Sequence, residues 1–152
     1  MQEKLNKLLI SKRKKYITLT LDNYKDETSF LNELATQINN GADTIEIKVT
    51  NKTTKEILSL TRKARELTAI FNALLIIHDR IDIAKLVNAD GINLDINSMS
   101  IKDAILLTEK TMLIGYTLTT ENEFCTPQIN ETDFIVTPKI IDNIAIHQFI
   151  NK

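Results

Sequence analysis

The sequence predicts an α/β chain of repeated βα units around a parallel sheet of about six strands, and three observations carry that prediction. Short β-branched or apolar runs alternate with longer amphipathic stretches, each strand-plus-helix unit taking about 25 residues. Similar turns stand before alternate strands: Gly41-Ala42-Asp43, Asn88-Ala89-Asp90-Gly91 and, more loosely, Glu131-Thr132-Asp133. The stretch 72–95 reads as strand, helix, strand: Ala73–Ile77, roughly Ile81–Val87, and Gly91–Leu94. Parallel strands joined through one helix cross right-handedly and end on the same rim. His78, Asp79 and Asp95 are therefore expected together there, where α/β folds bind ligands.

Taken in order, residues 1–15 form an N-terminal helical segment, with Leu5, Leu8 and Leu9 near helical spacing and a basic run Lys12-Arg13-Lys14-Lys15. Such a run is usually a solvated face or a helix C-terminus, and more rarely a phosphate contact. Residues 16–152 are expected to form a single domain. Tyr16–Asp22 alternates with period two and is β-branched, giving the first strand. Asp26 or Thr28 caps a helix whose stripe Phe30, Leu31, Leu34, Ile38 runs until Gly41 ends it. Thr44–Val49 is the second strand, with Ile45, Ile47, Val49 on one face and Glu46, Lys48 on the other. A strand buried on both faces is nearly all apolar, so these charges place it inside a barrel near its mouth, or at a sheet edge.

Thr53 opens a long helix through Leu67, and Ser98 or Ser100 caps another over 101–110. Thr111–Tyr116 and Asp133–Val136 are the fifth and sixth strands, and Thr119–Asn122 resembles a helical start. The tail from Ile140 suits either a helix or a seventh strand over 143–146.

At 152 residues the chain has room for one well-packed domain. Nineteen basic against 20 acidic residues leave a formal charge of −1, so no global field favours nucleic acid. No run approaches the roughly 18 apolar residues of a membrane helix, so no membrane partner and a cytoplasmic location are expected. Cys125, the single cysteine, allows no internal disulfide and has no basic neighbour to make it a reactive thiolate. His147 is assigned no role.

Leu75-Ile76-Ile77-His78-Asp79-Arg80, followed by Asn88-Ala89-Asp90-Gly91-Ile92-Asn93-Leu94, resembles the thiamine phosphate synthase / TenI family. In that family an apolar strand ends in Asn-Asp-Arg, and Gly-Ala-Asp-Gly-Val/Ile-His-Leu-Gly begins the next strand. The likeness extends with lower specificity from Tyr16 to about Pro138. It implies a (β/α) barrel with its ligand at the C-terminal rim of the strands. A closed eight-unit barrel needs about 200 residues or more. The resemblance and the length together predict an incomplete or shortened TIM-like barrel, with an open doubly wound sheet as the alternative. An uncovered parallel edge is an aggregation template, so the tail or a second copy should cover it, and a homodimer is expected.

The family's synthase joins an aminopyrimidine pyrophosphate to a thiazole phosphate, using cations and Mg²⁺ to neutralise the leaving pyrophosphate. Carried over by residue, its Gln-x-Arg-x-Lys falls on Glu46, Lys48 and Thr50, so two cations become one and an acid appears. A unit charge ~4 Å from a phosphate is worth roughly 4 kcal/mol at an effective dielectric near 20, so Glu46 should repel the anion this motif holds. The Asn-Asp pair becomes His78-Asp79, the second metal-binding Asp falls on Ser98 with Asp95 nearby, and the Ser after strand five becomes Thr117. Where the family has its phosphate loop, the chain reads Thr137-Pro138-Lys139.

The resulting site expectation is Lys48, His78, Asn93 and Thr117 as ligand-binding residues and Asp79 and Asp95 as metal ligands, with no catalytic residue assigned. No cofactor is implied unless the chain is active, in which case Mg²⁺ is. Each residue also has a plainer reading. Asp79 precedes a helix and suits an N-cap. His78 is either a rim residue or, with its near-neutral pKa, a base or phosphate donor. Glu46 and Lys48 can pair with neighbours inside the barrel mouth, and Asp90-Gly91 is turn chemistry in which Gly91 permits close backbone approach. Three functions compete: a divergent family member without synthase activity, keeping at most a small phosphate- or pyrimidine-type ligand site; a thiamine-metabolism transferase completed across a dimer; and a non-catalytic protein-interaction module.

Overall fold

The computed structural model describes residues 10–118 and 129–138, and the backbone of 144–148. The N-terminal nine residues, Thr119–Asn122, Cys125, Lys139 and the tail residues 140–143 and 149–152 lie outside the described residues, while the described part of the tail, 144–148, is a strand and corrects the helical option.

Six parallel strands and one antiparallel strand close into a barrel. The strands are β1 (Tyr16–Thr20), β2 (Thr44–Lys48), β3 (Leu74–His78), β4 (Gly91–Leu94), β5 (Leu113–Thr117), β6 (Phe134–Pro138) and β7 (Ile144–Gln148). Between them run α1 (Glu27–Asn39), α2 (Thr54–Ile70), α3 (Ile81–Leu86) and α4 (Ile101–Thr108). β7 pairs antiparallel with β6 and with β1. The tail thus supplies the seventh strand, and the doubly wound alternative, an open sheet with two edges, is corrected.

The strand alternation sorts the chain into two apolar layers. Ile17, Leu19, Ile45, Ile47, Leu75, Ile77, Ile92 and Ile114 point outward and pack with Phe30, Leu34, Leu60, Ala64, Ala84 and Ala104 of the helices. Tyr16, Leu74, Ile76, Leu113, Phe134 and Val136 fill the interior together with Ile10. Even-numbered positions of β1–β3 and odd-numbered ones of β4 and β5 share that inner face, as the register requires.

The recurrent turns have a common mechanical role. Asp43 accepts the backbone N–H of Lys15 through Oδ1 at 3.1 Å, Asp90 that of Leu75 through Oδ2 at 2.7 Å, and Asp133 that of Ile114 through Oδ2 at 2.8 Å. Each carboxylate just ahead of an even-numbered strand therefore fixes the start of the strand before it. The basic run serves the same end of the barrel. Arg13 Nη1 donates to the Asn72 carbonyl at 2.7 Å and Lys15 Nζ to the Asn40 carbonyl at 3.0 Å, so these cations sit at the C-termini of α2 and α1.

Caps resolve the sequence alternatives. Asp26 caps α1, Ser100 caps α4, and Thr53 with Glu56 forms a reciprocal capping box on α2. The N-cap reading of Asp79 is corrected: α3 is entered through Arg80 with no side-chain cap, while Asp79 itself has φ +63. The first strand is shorter than expected, because 21–23 turn into a 3₁₀ segment and Asp22 accepts from the Thr50 and Asn51 N–H groups.

Two glycines mark where strands and side chains approach too closely for a Cβ. One added at Gly91 would lie 2.7 Å from the Leu113 Cβ, and one at Gly115 would lie 2.1 Å from the Phe134 ring. Gly115→Ala should destabilise the protein by about 1–3 kcal/mol in urea unfolding, the usual overpacking range. Combining it with Phe134→Leu should recover part of that loss, whereas simple additivity of the two effects would show that the ring does not occupy this space.

Candidate functional site

Above the apolar filling, the inner face turns polar at the C-terminal ends of the parallel strands. Glu46 of β2 is buried there at 3% exposure and Asn93 of β4 at 0%, while Thr18, Lys48, His78 and Thr117 are partly buried. An isolated carboxylate is not tolerated at such a depth; it must be paired and hydrogen-bonded.

It is both. Thr18 Oγ1 donates to Glu46 Oε1 at 2.8 Å, and His78 Nδ1 and Asn93 Nδ2 each donate to Oε2 at 2.8 Å. The other Asn93 N–H reaches Thr117 Oγ1 at 2.7 Å. His78 Nε2 lies 3.0 Å from Asp95 Oδ2, and Asp95 Oδ1 accepts the Asn97 N–H at 2.8 Å. One connected network thus ties five adjacent strands, β1 to β5, at one rim.

The protonation states follow from this geometry. With a carboxylate against each ring nitrogen, His78 satisfies both only as the doubly protonated imidazolium. Burial works against that charge most strongly, but the Glu46 hydrogen bond and charge, helped by Asp95, raise the His78 pKa from its usual value. Burial likewise pushes Glu46 upward, and the His78 hydrogen bond and charge with the Asn93 and Thr18 donors overcome it, leaving Glu46 lowered. Asp95 is lowered too, burial being outweighed by the Asn97 N–H and by His78. Beneath them the buried Tyr16 phenol is raised well above its ordinary range by burial and by Glu46.

Lys48 makes no ion pair among the described residues, although its ammonium acts on both His78 and Asp95. Among the described residues of this network the mouth therefore sets two carboxylates against an imidazolium and one ammonium, with no excess of positive charge left for a polyanion.

The structure gathers His78, Asn93, Asp95 and Thr117 into one network, with Lys48 beside it. Asp79 stands on the same rim, its N–H bonded to the Asn93 carbonyl at 2.9 Å, with its side chain exposed. Among the described residues no three His, Cys, Asp or Glu side chains form a metal-holding group. Of the two sequence readings of Glu46, a charge that repels a ligand anion or a group paired with its neighbours inside the mouth, the structure shows the pairing, and sequence reasoning missed Thr18 and Tyr16. The phase of β1 held the signal, because Tyr16, Thr18 and Thr20 alternate against Ile17 and Leu19 and match Thr44, Glu46 and Lys48 in register.

A parallel barrel carrying its polar cluster at the strand C-termini belongs to the class of (β/α) barrels with a rim site. Comparison with known proteins narrows this. A family model described as thiamine monophosphate synthase matches residues 17–142, and the chain belongs to that family. It is 30% identical over 121 residues to a thiamine-phosphate synthase of Methanococcus maripaludis, covering 80% of this chain and 56% of that one. A thiamine-phosphate synthase of Methanobrevibacter smithii is 29% identical over 117 residues, covering 77% and 56%. The chain thus spans a little over half the length of these curated relatives. A thiamine phosphate pyrophosphorylase structure from Pyrococcus furiosus superposes with a TM-score of 0.74 at 24% identity, covering 90% of this chain and 63% of that one, and shows the same fold.

The signs of these shifts set the pH profile. The His78 contribution is full below the usual imidazole pKa and is lost as pH rises through its raised folded value. The Glu46 and Asp95 contributions are present above the usual carboxylate range and are lost as pH falls through their lowered folded values. Stability measured by urea unfolding should therefore decline on both sides of the interval between them. His78→Ala should cost about 3 kcal/mol, as for a broken buried pair, and should flatten the alkaline decline. An unchanged alkaline limb would rule out an imidazolium at this position.

Proposed function

We propose that this chain is a divergent member of the thiamine monophosphate synthase family that does not perform the synthase reaction and keeps at most a small phosphate- or pyrimidine-type ligand site at the strand C-termini. The observation that carries this reading is the saturation of the mouth by its own side chains. His78, Asn93 and Thr18 all donate to Glu46, so these donors are not available to a diphosphate. Lys48 is the cation left beside the network for an anionic ligand.

Mg²⁺ has little to hold it on this reading. Asp95 already faces the His78 imidazolium, whose charge would oppose a second cation, and Asp79 alone supplies an exposed carboxylate. A transferase site completed across a dimer is also less favoured, because β7 occupies both flanks of the sheet. The interaction-module reading loses its open edge for the same reason. Homodimerisation on this reading would use the helical exterior, where Leu86, Leu106 and Leu107 are exposed. No helix among the described residues is long and apolar enough to cross a membrane.

Purified protein should show no turnover of aminopyrimidine pyrophosphate with thiazole phosphate, with or without Mg²⁺. Calorimetry should find the pyrophosphate binding no tighter than about 1 mM. Any residual affinity for thiazole phosphate or thiamine phosphate should fall about tenfold in Lys48→Met, as expected on losing an interaction of ~1.4 kcal/mol. Synthase turnover, or tight Mg²⁺-dependent pyrophosphate binding, would overturn the reading.

A further inference from the structure

We propose that Glu46 is a tethered anion: its carboxylate fills, from within the chain, an anion-binding subsite at the barrel mouth that accepts a free carboxylate of acetate size once Glu46 is removed. The inference goes beyond the functional reading above, because it depends only on the donors around Glu46 and not on whether any reaction is catalysed.

Four features of the surroundings support it. The Glu46 carboxylate is approached by donors from three different strands, Thr18 of β1, His78 of β3 and Asn93 of β4, all at 2.8 Å. Convergence of an imidazolium, an amide and a hydroxyl on two oxygens is how proteins hold bound carboxylates, with charge assistance from the cation. The donors are themselves held in place: Asp95 orients the far side of the His78 ring, and Thr117 takes the second Asn93 hydrogen. Finally, the Asn93 side chain is fully buried and its Oδ1 has no hydrogen-bond partner among the described residues, while its donors are aimed at Glu46 and Thr117.

This framework does not need the covalent link to Glu46 in order to stand. Truncation to alanine removes the carboxylate and one methylene, which are the atoms of acetate. The vacated volume is lined by the same donors and lies above the apolar filling of the barrel. Small carboxylates should therefore bind there by restoring the interactions that truncation deletes. Chloride has neither the shape nor the two acceptor oxygens to reproduce them.

The experiment is thermal unfolding of Glu46→Ala in rising sodium acetate, against sodium chloride at matched ionic strength, with the wild-type chain in the same series. The variant should melt well below wild type and recover at least half of the lost interval in acetate along a saturating curve. Chloride should give no such recovery, wild type should show no acetate response, and Glu46→Ala combined with Asn93→Leu should lose it. Equal recovery in chloride would mean simple screening, and no recovery in either salt would mean that the donors do not form a subsite; both overturn the proposal. Should Glu46→Ala fail to fold in chloride, refolding from urea in acetate decides: native signal in acetate alone supports the proposal, and native signal in neither salt overturns it. Synthase turnover by the wild-type chain would defeat the functional reading while leaving this result untouched.

Discussion

A carboxylate that is 97% removed from solvent cannot remain ionised without help, and the arrangement around Glu46 is the form that help takes. Burial alone would protonate it; the His78 imidazolium and the Asn93 and Thr18 donors reverse that tendency. Reciprocally, His78 would lose its proton to burial were Glu46 and Asp95 not on either side of it. Each group favours the charged form of the other, so the pair acts as one unit that ties its strands together at the mouth. Such a unit contributes less to net stability than its contact distances suggest, because desolvation offsets much of the attraction. It also bears on register, since slipping β2, β3 or β4 by one residue would send Glu46, His78 or Asn93 toward the outer hydrophobic layer.

Much of the fold was legible because it rests on local chemistry. The six parallel strands, the Thr53 cap, the pairs of candidates from which Asp26 and Ser100 emerge as caps, and the close approach at Gly91 all follow from residue type and spacing. The echo of Gly41-Ala42-Asp43 in Asn88-Ala89-Asp90 was visible too, but its purpose was not, because the backbone N–H that each carboxylate receives belongs to a strand far back in the sequence. Lys15 lies 28 positions before Asp43, and Leu75 lies 15 before Asp90. The seventh strand was ambiguous for a related reason: its antiparallel pairing with β1 joins the two ends of the domain, which no local pattern encodes.

The convergence of the site residues on one rim was legible, but the charge they carry there was not. Family resemblance pointed to Lys48, His78, Asn93 and Thr117 as groups facing a ligand, and they do face a common mouth. What residue type could not supply was the charge state of His78. Treated as neutral, it leaves Glu46 an uncompensated repulsive charge; as an imidazolium between two carboxylates, it makes the mouth nearly neutral. Asp79 was misread from the opposite direction. An Asp two positions before a helix looks like a cap in sequence, but Asp79 has φ +63 and Arg80 holds the N-cap position, with no side-chain cap.

The closure of the barrel explains why the mouth saturates itself. Barrel diameter grows roughly in proportion to strand number, and about eight strands already give an interior that side chains just fill. Seven strands, one of them antiparallel, draw the rim tighter. Below the rim this is accommodated by glycine, Gly91 yielding to Leu113 and Gly115 to the Phe134 ring. At the rim there is no such relief, so polar side chains that would otherwise reach into solvent or onto a ligand meet one another at hydrogen-bond distance from β1 to β5. An acid among those donors is then the residue type that satisfies them best, and Glu46 in place of a neutral or cationic side chain is the electrostatic complement of a narrowed barrel.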